Sequence, residues 1–312
     1  MRAISQRSWG APEVLTEVEV ERPQPGPAEI LVRVHAAGIN PVDWKSRATG
    51  GFGLWGEPPI LGWDVSGVVE ETGPGVTIFQ PGDEVFGMPR FPHQAGAYAE
   101  YVTAPARHFA PKPAGLDHVQ AAALPLAGLT AWQALVDTAD VRPGRRVLIH
   151  AAAGGVGHLA VQIAKARGAH VIGTARGSKH ELLRDLGADE LIDYTETDFT
   201  EAVADLDVVI DPIGGDYGPR SLKVLRPDGV LVSLNSPDED ALRPRAAALG
   251  RRAGFMLVEP DRTGLAAIAD LVSSGRLRPV IDAVFPLSEA AKAHHHGETG
   301  RTTGKLILTV HD

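Results

Sequence analysis

The chain has no cysteine in its 312 residues. That absence excludes a disulfide framework, a thiolate nucleophile, an iron–sulfur cluster and any Cys-ligated zinc, structural or catalytic. A basic excess is missing as well: 30 Lys and Arg stand against 39 Asp and Glu, for a net charge of -9. Neither nucleic acid nor an anionic membrane surface is favoured as a partner. Nowhere do the roughly 20 consecutive apolar residues of a membrane span occur without charge or proline, and Met1-Arg2-Ala3-Ile4-Ser5 opens no apolar run of signal-peptide length. The chain reads as cytoplasmic. What is present is ordinary for a soluble globular protein, with 44% hydrophobic and 22% charged residues, and the length suits two domains or one large architecture.

Up to about Thr103 the sequence is a series of short β-rich runs, such as Glu29-Ile30-Leu31-Val32-Arg33-Val34-His35, Val65-Ser66-Gly67-Val68-Val69 and Ala97-Tyr98-Ala99-Glu100-Tyr101-Val102. Pro25-Gly26-Pro27, Gly73-Pro74-Gly75 and Pro81-Gly82-Asp83 separate them, because Pro presets φ and Gly permits φ > 0. A helical segment from about Val119 to Thr138 follows, and then apolar strands alternate with amphipathic helices. Strands are predicted at Arg146–His150, His170–Thr174, Glu190–Asp193, Asp207–Asp211 and Gly229–Leu234, with helices starting near Gly155, Lys179, Asp216 and Arg262. That alternation signals a parallel, doubly wound α/β sheet. A helix over Leu287–His296 and a last strand over Gly304–Val310 close the chain.

Arg146-Val147-Leu148-Ile149-His150 runs into Ala151-Ala152-Ala153-Gly154-Gly155-Val156-Gly157 and then into a helix. Strand, glycine turn and helix inside a unit of about 30 residues are the context of a dinucleotide fingerprint. Gly154 lets the backbone approach a pyrophosphate, Gly157 lets helix and strand pack closely, and the helix N-terminus offers N–H groups to the anion. Ala152 replaces the first Gly of the strict pattern. A tight strand-to-helix turn without ligand is the competing reading. An NAD site carries Asp or Glu about 20 residues on, at the end of the second strand; here that strand ends in Ala175-Arg176-Gly177-Ser178-Lys179. Ala175 leaves room for a 2′-phosphate, and Arg176, Ser178 and Lys179 offer charge and hydrogen bonds to it, so NADPH is the expected cofactor. The alternative is that Arg176 and Lys179 are solvated residues at a helix start.

Gly38-Ile39-Asn40-Pro41-Val42-Asp43-Trp44-Lys45, Leu61-Gly62-Trp63-Asp64-Val65-Ser66-Gly67, Gly82-Asp83-Glu84-Val85-Phe86-Gly87, Gly96-Ala97-Tyr98-Ala99-Glu100-Tyr101, Leu129-Thr130-Ala131-Trp132, the glycine loop and Gly304-Lys305-Leu306 occur in this order. Together they resemble the medium-chain dehydrogenase/reductase superfamily, in its zinc-independent branch of quinone oxidoreductases and enone reductases. The resemblance covers essentially the whole chain. It implies an α/β fold: a GroES-like, mostly β catalytic domain over 1–124, a Rossmann domain over 125–284, and a C-terminal segment, 285–312, that returns to the first domain, with the cofactor at the junction. Zinc-dependent relatives place Cys at the Asn40 position and Gly-His-Glu at Gly62-Trp63-Asp64, so both departures remove metal ligands and no metal is expected. Without a Lewis acid, alcohol oxidation loses its usual driver.

The resemblance further implies Asn40 and Thr130 as catalytic and cofactor contacts. Ala153, Gly154, Gly155, Val156 and Gly157 hold the cofactor's pyrophosphate, Lys179 and Tyr194 its 2′-phosphate, and Gly214, Asn235 and Ser236 its nicotinamide half, with Lys305 a further contact. Turn, cap and strand-edge roles compete at each of these positions. Trp44, Phe52, Trp55 and Phe91 fall on loops that rim the substrate cleft in relatives, where flat rings suit a planar acceptor, and Trp63 fills the former ligand position; core packing is the alternative for all five. Asp64 reads as structural. His294-His295-His296 resembles a metal tract, but consecutive helical positions point in different directions, and the three read as surface residues. No acid emerges for the proton that follows the hydride. The expected activity is hydride transfer from NADPH to quinones or α,β-unsaturated carbonyls, with a homodimer expected by analogy. An enoyl-thioester reductase and a catalytically silent NADPH-binding redox sensor are the alternatives.

Overall fold

The computed structural model describes residues 1–53, 55–235 and 241–310. The chain divides into two compact units, one of Met1–Leu129, Glu259–Ser273 and Pro279–Asp312, the other of Thr130–Val258 and Ser274–Arg278.

In the first unit a seven-stranded sheet is built around Glu29–Ile39, a long strand of nearly continuous apolar residues with neighbours along both edges. Val65–Thr72 and Tyr101–Pro105 pair with it antiparallel, and Glu84–Gly87 and Phe109–Pro111 extend the sheet beyond Val65–Thr72. The reversal at Gly82 takes a φ of 96°, a conformation that costs glycine little and other residues more. Lys305–Thr309 inserts between Ile281–Pro286 and Glu29–Ile39, with Leu306 opposite Ile39. This register brings Lys305 beside Asn40. Ile30, Val32, Val34, Phe109, Leu306 and Leu308 share one buried core.

Helix Pro41–Thr49 starts directly after that central strand. Pro41 suits a first helical position because the N–H it lacks has no partner there. Gly50, at φ 84°, ends the helix. The single helix expected over 119–138 is instead divided into His118–Ala122, Pro125–Trp132 and a π-helical turn Gln133–Thr138. Pro125 has no N–H to continue the first piece.

The second unit is a six-stranded parallel sheet in the order Glu190–Asp193, His170–Ala175, Arg146–Ile149, Leu206–Asp211, Leu225–Ser233, Arg252–Phe255. Numbered along this unit the order is 3-2-1-4-5-6, that of a Rossmann fold. Leu148, Ile172, Val209 and Leu231 stand side by side in register and form the centre of its core; each buried side chain of this size contributes about 1.5–3 kcal/mol. The sixth strand, Arg252–Phe255, was not expected. Its sequence, Arg-Ala-Gly-Phe, has no apolar run and only partial burial.

Candidate functional site

In the second unit the strand Arg146–Ile149 leads through residues 150–156 into helix Gly157–Ala166. A Cβ at Gly157 would lie 2.3 Å from the Ala151 carbonyl oxygen and 2.7 Å from Ala152 Cα, so only hydrogen fits where helix meets strand. A Cβ at Gly154 would meet a single atom within 4 Å, the Ala151 oxygen at 3.2 Å. The turn is therefore less crowded at Gly154 than at Gly157. No side chain caps the helix at Val156; His158 N donates to the Gly154 carbonyl at 3.1 Å, so it is the turn before His158 that faces an anion at this helix start. These two features suit a pyrophosphate lying across Gly154, Gly155 and Val156.

A row of polar side chains crosses the carboxyl ends of four neighbouring strands. Register pairs Asp211 with Ser233 and Ile149 with both Gly173 and Ile210, so Thr174, His150, Asp211 and Ser233 follow one another on the face that carries Ile172, Leu148, Val209 and Leu231. All four are buried. His150 lies 3.2 Å from Thr174 Oγ1 and 3.0 Å from Ser221 Oγ, and burial pushes its pKa down to about 3, so it is neutral. Asp211 Oδ1 accepts the N–H groups of Ile213 at 2.8 Å and Gly214 at 3.0 Å. Asp211 Oδ2 and Ser233 Oγ have no partner among the described residues. Asp211 borders the topological switch point between Arg146–Ile149 and Leu206–Asp211, and Ser233 lies one strand beyond it; α/β sheets bind ligands at such points. A glycine cradle, an uncapped helix start and unused acceptors at and beside the switch point fit a dinucleotide.

Ala175 is buried at the end of the second strand, with Arg176 and Ser178 exposed beyond it and Lys179 partly so. Arg176 Nε donates to Tyr194 Oη at 3.0 Å, bringing together two of the expected phosphate contacts from neighbouring strand ends. Asp193, which sequence reasoning did not single out, accepts from Gly177 N at 2.6 Å and from both Thr195 donors. Those bonds hold its carboxyl below the usual range. Gly214 takes φ 76°, and Asn235 Nδ2 donates to the Ile213 carbonyl at 2.6 Å. Ser236 lies outside the described residues. Thr130 and Ala153 are buried within the same unit.

The first unit gathers Asn40, Asp43, Asp64 and Lys305 in its interior. Asn40 Nδ2 donates to Asp64 Oδ2 at 2.8 Å, and Lys305 Nζ donates to Asn40 Oδ1, to Asp64 Oδ2 at 3.0 Å and to the Ile39 carbonyl at 2.9 Å. An ammonium has three donors, and all of them are used inside the chain. Lys305 is 2% exposed, and its three bonds hold Asn40 and Asp64 in place. Asp64 Oδ1 accepts Leu126 N at 2.6 Å, tying the same carboxylate to the start of helix Pro125–Trp132.

Asp43 Oδ2 accepts Asn40 N at 2.7 Å and Oδ1 accepts Gly62 N at 3.1 Å. Burial pushes its carboxyl up to about 7, against the pull of those N–H groups and of Lys305. Sequence reasoning quoted Asp43 only as part of a motif, and it missed Arg47, Tyr98 and His294 as a group. No spacing signal joins residues this far apart in the chain. Of the three histidines read as surface residues, His294 is fully buried while His295 and His296 are exposed and paired with Glu13 and Asp282. Successive residues on a helix are rotated by roughly 100°, so one of the three turns inward.

The aromatic residues form a row. Ring centroids lie 5.8 Å apart for Trp9 and Trp55, 5.6 Å for Trp55 and Trp63, 5.4 Å for Trp63 and Phe91, and 5.9 Å for Phe91 and Phe52. Trp63 and Phe91 are buried, whereas Trp9 and Phe52 are 43% and 46% exposed. The indole N–H groups of Trp55 and Trp63 donate to the Gly50 and His93 carbonyls, which fixes both rings. Trp44 is not in this row. Its ring meets His294 edge-on and lies where a Cβ on Gly297 would stand 2.7 Å away, so it packs against helix Ala290–Glu298. Among the described residues no group of three or more His, Cys, Asp or Glu is disposed to hold a metal ion, and no helix is long and apolar enough to cross a membrane.

Residues 26–114 match the family described as alcohol dehydrogenase GroES-like domain, and residues 186–308 match that described as zinc-binding dehydrogenase. The quinone oxidoreductase of Coxiella burnetii has a similar structure, with a TM-score of 0.94 and 42% identity over 100% of this chain and 99% of its own. The Escherichia coli quinone oxidoreductase, solved in complex with NADPH, gives a TM-score of 0.85 at 30% identity, covering 99% of this chain and 100% of that one. A 2-haloacrylate reductase from Burkholderia sp is 38% identical over 96% of each chain.

Proposed function

We propose a reaction for a chain that belongs to the medium-chain dehydrogenase/reductase superfamily, in its quinone-oxidoreductase-like branch, and is an oxidoreductase: NADPH-dependent, metal-independent reduction of quinones or α,β-unsaturated carbonyls. The observation that carries the cofactor choice is the end of the second strand. Buried Ala175 is followed by no acid, and Arg176 is joined to Tyr194 with Lys179 three residues on. Those basic groups suit a 2′-phosphate, and the Asp193 carboxylate beside them is engaged by Gly177 N and Thr195. Gly154, Gly155 and Val156 hold the pyrophosphate, and Asp211 Oδ2 and Ser233 Oγ accept hydroxyl or amide hydrogens from the nicotinamide half.

The bound cofactor supplies a hydride from C4 of its nicotinamide. The chain supplies position. Fixed rings of Trp55, Trp63 and Phe91 offer a flat apolar wall, and exposed Phe52 closes over a planar acceptor. Metal independence is supported by Lys305: its ammonium already occupies the donor set that Asn40 and Asp64 provide, so a second cation there meets both repulsion and used-up oxygens. With no carboxylic acid or imidazole assigned to the acceptor, the proton is taken from water. We place the protein in the cytoplasm and propose a homodimer joined through the free edge of Arg252–Phe255, the last strand of its sheet. The test is an acceptor screen followed by NADPH absorbance, in the presence of a chelator, with an ortho-quinone, an enone and an enoyl thioester. Saturable oxidation with the first two supports the reading. Oxidation with the thioester alone favours an enoyl-thioester reductase, and NADPH binding without turnover favours a sensor.

A further inference from the structure

We propose that Asp43 positions Asn40, and that Arg47, His294 and Tyr98 form a one-way hydrogen-bond chain whose last donor points at the Asp43 carboxylate. The inference rests on the proposed reductase function and on the family resemblance, which implies Asn40 as a catalytic and cofactor contact.

The direction of the chain follows from Arg47. A guanidinium only donates. Arg47 Nη1 lies 3.2 Å from His294 Nδ1, so Nδ1 is the accepting nitrogen and the imidazole hydrogen is on Nε2. That nitrogen lies 3.1 Å from Tyr98 Oη and donates to it. The Tyr98 hydroxyl has then accepted one bond, and its own hydrogen goes to its remaining partner, Asp43. Arg47 is itself fixed by Glu298, at 2.7 Å from Nη2, and by the Gly10 carbonyl, at 3.0 Å from Nε. The chain thus runs from a partly exposed carboxylate on helix Ala290–Glu298 to a buried one at the start of helix Pro41–Thr49.

At Asp43 two backbone donors converge, and the Tyr98 hydroxyl faces the same carboxylate. The N–H of Asn40 fixes the backbone of that residue, and the N–H of Gly62 fixes the segment that carries Trp63 and Asp64. The Asn40 side chain is held separately. Lys305 can only donate, so it fixes the amide oxygen, and Asp64 Oδ2 takes one amide hydrogen. An amide nitrogen has two hydrogens, so the second is the one this arrangement offers to an oxygen of the cofactor or acceptor. Asp43 sets where Asn40 stands, and the Asp64–Lys305 pair sets which way its amide faces.

Asp43→Asn keeps the shape but turns an N–H toward one of the three donors. The expected result is a fall in kcat on the order of tenfold or more, with KM for the quinone changed by less than about twofold. In an Asn40→Ala background the same substitution changes kcat by less than about twofold, because the positioned group is gone. His294→Gln retains activity, since Gln can accept from Arg47 and donate to Tyr98, whereas His294→Leu and Tyr98→Phe lower kcat with thermal unfolding followed in parallel. Nitrogen NMR of His294 in the wild-type protein shows the hydrogen on Nε2. Equal losses for His294→Gln and His294→Leu, full kcat in Asp43→Asn, or a hydrogen on Nδ1 would overturn the positioning chain while leaving the function reading in place. Full activity in Asn40→Ala alone would overturn the reading of Asn40 and the chain with it.

Discussion

In the first unit the buried Lys305 ammonium uses all three of its donors within the chain and Asp64 accepts on both oxygens; in the second, Asp211 is equally buried but only one of its oxygens is used among the described residues. A buried polar group without a partner costs about 1–3 kcal/mol. The first cluster is completed by folding, so its cost is offset before any ligand arrives. The second remains open at the switch point of a Rossmann sheet, where a cofactor can complete it. The first cluster therefore serves as a fixed frame for Asn40, and the second as a receptor whose unmet bonds favour binding.

Breaking the closed cluster gives the largest effect. Lys305→Met leaves a buried carboxylate without its cation and is expected to lower stability by about 3–5 kcal/mol, read from urea unfolding. Asp211→Asn is the matching change in the open cluster: the amide oxygen keeps both turn bonds, so stability in the absence of cofactor shifts by less than about 0.5 kcal/mol. Similar losses for the two would erase the distinction between closed and open.

Next in size is the proposed phosphate contact. Lys179→Ala removes a charge-assisted bond of about 1.5–3 kcal/mol, and calorimetric titration should show weaker binding of NADPH with NADH almost unchanged. Equal losses for both cofactors would make Lys179 a fold residue. Within the glycine turn, Gly157→Val forces a Cβ to 2.3 Å from the Ala151 oxygen and lowers stability by about 1–3 kcal/mol or more, with or without ligand. Gly154→Val, whose Cβ would stand 3.2 Å from the Ala151 oxygen, lowers the melting temperature less than Gly157→Val does and reduces the rise that NADPH produces.

The effect that is smallest over any single step is the pH dependence of the second unit. His150 is pushed by burial down to about 3, below its unfolded value, so the native state binds fewer protons than the unfolded one between roughly pH 6.5 and 3. Stability is complete above that window and falls with pH inside it, by about 1.4 kcal/mol per unit for this group. His294 adds a loss of the same sign, because its pKa is also pushed down to about 3. Asp43, pushed up to about 7, gains stability as pH falls below that value. The difference in slope between wild type and His150→Gln isolates His150, and identical slopes would show that it is not held neutral.

Much of the second unit was legible in the sequence because its elements are local and periodic. Glu190–Asp193 was predicted to the residue, and strand Arg146–Ile149 and helix Gly157–Ala166 lie within two residues of expectation. The glycine turn was legible because its constraint is steric and acts over a few residues. Strand Arg252–Phe255 was not, since its short sequence carries no apolar period. The closed cluster was out of reach for a different reason: Asn40 meets Lys305 and Tyr98 meets His294 only after the last strand and helix have returned to the first unit.

Hydrogen–deuterium exchange with and without NADPH tests the contrast between the two clusters most directly, because amide protection reports local closure. Residues 38–47 and 305–308 are expected to exchange slowly before cofactor is added, and NADPH to add protection mainly at 151–158 and 211–215. Exchange that is rapid at 38–47 without cofactor, or protection that bypasses 151–158 and 211–215 when NADPH is bound, would contradict it.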